Sequence, residues 1–79
     1  MIVAVIAYIL VKANTGEADR VKSEIDAIDG VLDTHIVAGD VDFIVKVSVE
    51  SPARVKDIAT TGIQGIDGIE DTQTYIAMG

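Results

Sequence analysis

Seventy-nine residues with no cysteine and one histidine make a single small domain. Disulfides, thiolate metal sites and histidine clusters are therefore excluded as stabilisers, and a second subunit is the expected source of support. Thirteen acids against six bases leave a formal charge of −7, which opposes a phosphate backbone and argues against direct nucleic-acid binding. Although 49% of the residues are hydrophobic, the opening run Met1 to Val11 is too short to span a bilayer. It also lacks the basic start and small-residue cleavage pattern of a signal peptide, so a soluble, cytoplasmic chain with no membrane contact is expected.

Val3 to Lys12 reads as a strand buried on both faces. Val3, Val5, Ala7, Ile9 and Val11 form one alternating set, and Ala4, Ile6, Tyr8 and Leu10 form the other. Asn14-Thr15-Gly16-Glu17 follows as a turn, with Asn14 or Thr15 as helix N-cap and Glu17 in the first turn, where a carboxylate suits the helix dipole. Ala18, Val21, Ile25 and Ile28 recur at helical spacing, and Gly30 stops the helix.

Two runs rich in Val and Ile, Val31 to Ala38 and Val41 to Val49, then meet across Gly39-Asp40, a pair that forms tight primed turns. In the second run Val41, Phe43, Val45, Val47 and Val49 make an apolar face opposite Asp42, Ile44, Lys46 and Ser48. Ser51-Pro52 opens a second helix, with a capping hydroxyl and a proline at the first helical position. Its apolar face is Val55, Ile58, Ala59 and Ile63. Thr60, Thr61, Gly62 and Gly65 are poor helix residues and predict a frayed or tight-turned end. Ile69 to Met78 is the last strand.

An internal echo links the halves: Ile28-Asp29-Gly30-Val31-Leu32-Asp33-Thr34 returns as Ile66-Asp67-Gly68-Ile69-Glu70-Asp71-Thr72. Both copies stand where a helix gives way to a strand, so the chain reads as β-α-β twice. That order defines an α+β, ferredoxin-like βαββαβ fold, with a four-stranded antiparallel sheet and both helices on one face. Two helices cover one sheet face only. Ala4, Ile6, Tyr8 and Leu10, or the alternate set, joined by Ile44 and Ile76, would then form an uncovered apolar patch, and dimerisation through that face is expected.

The central hairpin is the candidate site. Gly39 brings backbone N–H groups beside two carboxylates, Asp40 and Asp42. Three readings remain: a small-ligand site, a solvated turn, or an oxygen-rich metal site completed by Asp67 or Asp71, although no EF-hand spacing is present.

Gly16, the hairpin Val37-Ala38-Gly39-Asp40-Val41-Asp42-Phe43-Ile44-Val45-Lys46-Val47, the Ser51 cap, Ile63-Gln64-Gly65-Ile66-Asp67-Gly68-Ile69 and Asp71-Thr72-Gln73-Thr74 together resemble the C-terminal effector domain of the Lrp/AsnC transcription regulators. The resemblance covers nearly the whole chain. It implies dimers paired through their sheets, often assembled into rings, with an amino acid bound between subunits near the Gly-x-x-Asp hairpin. Carried over, Gly39, Asp40, Val41 and Asp42 would offer N–H groups to the ligand carboxylate and a carboxylate to its ammonium. Thr72 and Thr74 match the family's closing Thr-x-Thr and would add hydroxyls, with cross-strand Thr pairing as the alternative.

A Thr commonly precedes the hairpin glycine in this family and an aromatic follows two places on. Here Ala38 and Val41 stand there, so the ligand preference is open. Family regulators also carry an N-terminal helix-turn-helix, whereas strand signal here begins near the second residue. The chain thus resembles the family's stand-alone effector domains, which act by co-assembling with full-length regulators or by sensing amino acids for another partner. No cofactor is implied, and an enzyme is not expected. A dimeric ferredoxin-like barrel enzyme on a small substrate stays as an alternative, with His35 isolated and no cysteine to act as nucleophile. The other alternative is an ACT-type amino-acid sensor, in which Gly16 would be the sensitive position.

Overall fold

The computed structural model describes residues 4–79; Val3, expected within the first strand, lies outside the described residues. The chain forms β1 (Val5–Ala13), α1 (Ala18–Asp26), β2 (Val31–Ile36), β3 (Phe43–Val49), α2 (Pro52–Asp57) continued by a π-helix (Ile58–Ile63), and β4 (Ile69–Ile76). All pairings are antiparallel and the sheet order is β2-β3-β1-β4. This is the ferredoxin-like arrangement expected from the element order.

The two alternating sets of β1 part as the pleat requires. Ala7, Ile9 and Val11 are fully buried beside Phe43, Val45 and Val47 of β3. Onto them come Val21 and Ile25 from α1, Val55 from α2, and Ile58, Ala59 and Ile63 from the π-helix. Ile6, Tyr8 and Leu10 occupy the opposite face with no helix above them.

Ile76 departs from the expected patch. It pairs with Ala7, so the register puts it on the helix side and not beside Tyr8. Its neighbour Tyr75, opposite Tyr8, takes the open face and is 56% exposed.

The echoed segments share one geometry. Val31 N donates to Ile28 O at 3.2 Å, and Ile69 N donates to Ile66 O at 3.3 Å. Gly30 and Gly68 hold φ of 100° and 98°, the only positive values among the described residues. Each Asp-Gly therefore makes a turn whose third residue lies where L side chains are strained. Space is also short at Gly30, where an added Cβ would lie 2.8 Å from Val49 Cγ1.

Caps and turns differ from expectation at three places. Neither Asn14 nor Thr15 is the N-cap of α1; Glu17 takes that position, and Thr15 Oγ1 accepts from Glu17 N at 3.1 Å to shape the approach. The central hairpin is not a two-residue primed turn, because no residue in it has positive φ. Its strands stop at Ile36 and resume at Phe43, leaving a six-residue loop, 37–42.

The third difference is the end of the second helix, which widens where tightening was expected. Gln64 N donates to Ala59 O at 3.1 Å, the five-residue reach of a π-turn. Ile58 and Ile63 would stand about 140° apart on an α-helix turning 100° per residue. The wider turn brings both into the core, where both are fully buried. Side-chain burial thus outweighs local propensity. The Ser51 cap forms as expected, with Oγ accepting from Arg54 N at 3.3 Å and Pro52 opening the helix.

Candidate functional site

The loop 37–42 is held to β1 by its last residue. Val37 N donates to Asp42 O, and Asp42 N donates to Val11 O, both at 2.9 Å. The pairing of β1 with β4 slips between Lys12 and Ala13, where Glu70 of β4 is left without a partner; Ala13 N points to the opposite edge of β1, toward the loop. Asp42 Oδ2 accepts from that N–H at 2.9 Å. A half-buried backbone donor gains a charged acceptor, which is among the stronger hydrogen bonds a surface loop can make. Asp42 lies beside Thr15, Ala18 and Phe43, toward the helix-covered side.

Asp40 and Val41 lie elsewhere. They line an open cavity of about 350 Å³ with Leu10, Lys12, Asp71, Thr72 and Gln73. Lys12 pairs in register with Asp71, and Leu10 with Gln73, so these four project from the uncovered sheet face. Lys12 Nζ donates to Asp40 O at 3.4 Å, a long contact, and Lys12 forms no ion pair among the described residues. Asp71 Oδ1 accepts from Thr72 N at 2.9 Å, and its other oxygen carries no bond within the described residues.

Of the residues singled out from sequence, the cavity therefore gathers Asp40, Val41 and Thr72. Asp42 is on its far side, bonded to Ala13 N. Gly39 lines neither cavity, and a Cβ built on it would meet nothing within 4 Å. Thr72 and Thr74 share the helix side of β4, opposite Val11 and Ile9. Thr72 Oγ1 accepts from Gln64 Nε2 at 2.7 Å instead of pairing with a second Thr across the sheet, and Thr74 is exposed further along the strand.

Lys12, Gln73 and Leu10 were not singled out as site residues, and Asp71 entered only the metal reading. Alternation alone puts Leu10 and Lys12 on one face. Only the pairing of the first strand with the last brings Asp71 and Gln73 beside them.

The other seats considered are differently occupied. Among the described residues no group of three His, Cys, Asp or Glu is placed to hold a metal ion, so the carboxylate set of Asp40, Asp42, Asp67 and Asp71 is not assembled. In the loop that contains Gly16, Asn14 N donates to Gly68 O at 2.7 Å. Arg20, on the helix that follows that loop, is already engaged by Glu24, by Glu17 at 3.2 Å and by Asp67 O at 3.0 Å. Hydrogen bonding to Glu24 leads the causes that raise its guanidinium above the ordinary value, so it stays charged and committed to its own helix and to the turn at Asp67.

Around the cavity the open face is apolar at its centre and charge-matched at its edges. Ile6, Tyr8 and Leu10 run down β1, with Ile44 beside Leu10. Lys46 stands opposite Asp33 as Lys12 stands opposite Asp71, and His35 lies next to Ile44. No helix among the described residues is long and apolar enough to cross a membrane.

A ferredoxin-like sheet with one free face and a ligand-sized cavity at its hairpin end is the frame of a regulatory ligand-binding domain. The chain belongs to the Lrp/AsnC ligand binding domain family, whose profile matches residues 6–79. The leucine-responsive regulatory protein of Haemophilus influenzae is 25% identical over 77 residues, 98% of this chain and 46% of the relative, so the chain spans about half the length of that protein. A hypothetical protein from Pyrococcus horikoshii superimposes with a TM-score of 0.83 at 30% identity, covering 94% of this chain and 89% of that one. A transcriptional regulator from Neisseria meningitidis, solved as a complex with L-Met, shares the fold with a TM-score of 0.82 at 14% identity, covering 95% of this chain and 50% of the regulator.

Proposed function

We propose that this chain is an amino-acid effector-binding and assembly module of transcription regulation in the cytoplasm. It dimerises through the open sheet face, with the dimers able to build rings or to co-assemble with full-length Lrp/AsnC-type regulators. The observation that carries this reading is the continuity of the apolar strip with the cavity. Leu10 belongs to both, so a molecule seated against Leu10, Asp40 and Val41 lies at the margin of the surface a second copy would cover.

A half-exposed strip of Ile6, Tyr8, Leu10 and Ile44 is costly to leave in water, and burial against its own copy recovers about 25 cal/mol for each Å² of apolar area covered. Opposite charges face each other at Lys12/Asp71 and Lys46/Asp33, so the strip is flanked by matched pairs. A neighbour of the same fold is a regulator complexed with L-Met, and a relative is named for its response to leucine. An amino acid is the ligand those names suggest here. A ligand that touches two subunits binds the assembled state better than the free one and shifts the equilibrium by that difference.

Sedimentation velocity combined with a thermal-shift panel of the twenty amino acids tests both halves. The expected result is a dimer or larger species at micromolar concentration and a selective rise in Tm with one amino acid or one chemical class. Tyr8→Glu should leave the melting transition cooperative and yield monomers. A wild-type monomer, or a panel without any shift, would overturn the corresponding half.

A further inference from the structure

We infer that Lys12, Asp71 and Asp40 are the charges that read the ligand, that Asp42 is a positioning residue which never touches it, and that the ligand class is a basic α-amino acid. This rests on the effector-binding reading above and assigns the chemistry of its site.

Lys12 is the one cation lining the cavity, and it projects from the β1 position opposite the β4 bulge. Bulges re-aim the side chains beside them. On the other edge of β1 Asp42 brackets Lys12, its N–H donating to Val11 O and its carboxylate accepting from Ala13 N. That carboxylate lies toward the helix-covered side, whereas the Lys12 cavity opens on the other. Its effect on the cavity therefore runs through the backbone, by fixing where β1 turns Lys12 out.

Lys12 also leaves its in-register partner unclaimed. An exposed Lys–Asp pair across a sheet gains little over hydration, about 0–1 kcal/mol, so Lys12 and Asp71 remain available to a ligand that supplies both charges at once. A ligand α-carboxylate meets the Lys12 ammonium, and its α-ammonium meets Asp71 or Asp40.

The charge count selects among amino acids. One lysine and two carboxylates give the cavity a net charge of −1. A neutral zwitterion would leave one carboxylate without a counter-charge, while lysine, arginine or ornithine brings a second cation and cancels all three. Leu10 and Val41 offer apolar wall to the methylene stem between those charges.

Isothermal titration of the wild-type chain with L-lysine, L-arginine, L-leucine and L-methionine, and with cadaverine as the lysine analogue lacking the carboxylate, tests this. The basic amino acids should bind at least about tenfold more tightly than the neutral ones, and cadaverine should lose at least about tenfold against L-lysine. Lys12→Met and Asp71→Asn should each weaken L-lysine about tenfold or more, with unchanged circular dichroism. Asp42→Ala should weaken it, and Asp42→Asn, which keeps an oxygen for Ala13 N, should restore it.

Tight binding of a neutral amino acid in preference to the basic ones would overturn the ligand class. Unchanged affinity in Lys12→Met would overturn the charge site while leaving the effector reading intact. Loss of binding in a well-folded Asp42→Asn would make Asp42 a ligand contact and overturn its positioning role. No binding by any amino acid would instead remove the effector reading itself.

Discussion

Ile9 and Leu10 are adjacent on one strand, alike in composition, and in opposite circumstances. Ile9 is fully buried between β3, β4 and the helical layer, whereas Leu10 lies half-buried on the uncovered face beside Ile44 and Gln73. The same holds all along β1: Ala7, Ile9 and Val11 hold the monomer together, while Ile6, Tyr8 and Leu10 do little for it. An apolar residue in the middle of a sheet is thus no guide to its own energetic role. What decides is whether this chain supplies the layer above it.

Ile9→Ala should separate the two faces most sharply. Removing a fully enclosed side chain costs about 2–5 kcal/mol, a large part of what a domain this small has, and urea unfolding of the isolated chain measures it. Gly30→Ala probes the same helix-covered layer from its rim, because the new methyl would meet Val49 and Ile58 at a φ of 100°. About 2 kcal/mol or more is expected, read in the same titration.

Leu10→Ala should cost the monomer under about 1 kcal/mol and show instead as a weaker dimer in sedimentation at falling concentration. Equal losses for Ile9→Ala and Leu10→Ala in a monomeric background would erase the distinction between the faces.

The smallest effect belongs to Asp26, at the end of α1. The Lys22 ammonium at 2.8 Å, and then the Thr34 hydroxyl, hold its carboxyl below the ordinary 3.8. Thr34 Oγ1 itself closes no hydrogen bond of standard geometry among the described residues, so Lys22 is the main partner. Folding favours the ionised form, and the contribution is present above that ordinary value and disappears as pH falls through the lowered native one. Asp26→Asn should slightly lower Tm at pH 7 and leave it unchanged near pH 2, as paired thermal melts would show.

Much of this architecture was legible residue by residue. Val21, Ile25, Val55, Ile58 and Ile63 were readable as core from helical spacing, and Phe43, Val45 and Val47 from alternation. The repeated Asp-Gly marked two helix-to-strand turns, because a positive φ has a strong preference for glycine. Where local rules failed, burial or pairing outweighed them. Propensity foretold a frayed or tight end at Thr60-Thr61-Gly62, yet the need to bury both Ile58 and Ile63 opened a π-turn. Gly39-Asp40 carried the signal of a two-residue turn, but Asp42 bonding to Ala13 and Val11 drew the loop out to six residues.

The candidate site shows the same division. Asp40 was named in advance from the hairpin, a local feature, and Val41 and Thr72 from the resemblance to the family; all three line the cavity. Lys12 and Asp71, 59 positions apart in the chain, become neighbours only through β1–β4 pairing.

Sequence alone determined the order of elements, the alternation that gives β1 two apolar faces, and the turns where glycine was needed, because each follows from steric and hydrophobic preferences acting over a few residues. Tertiary structure alone decided which face the helices cover, where Ile76 points, and which charges share the cavity. Those depend on strand register, and register is the outcome of contacts between segments that no local preference contains.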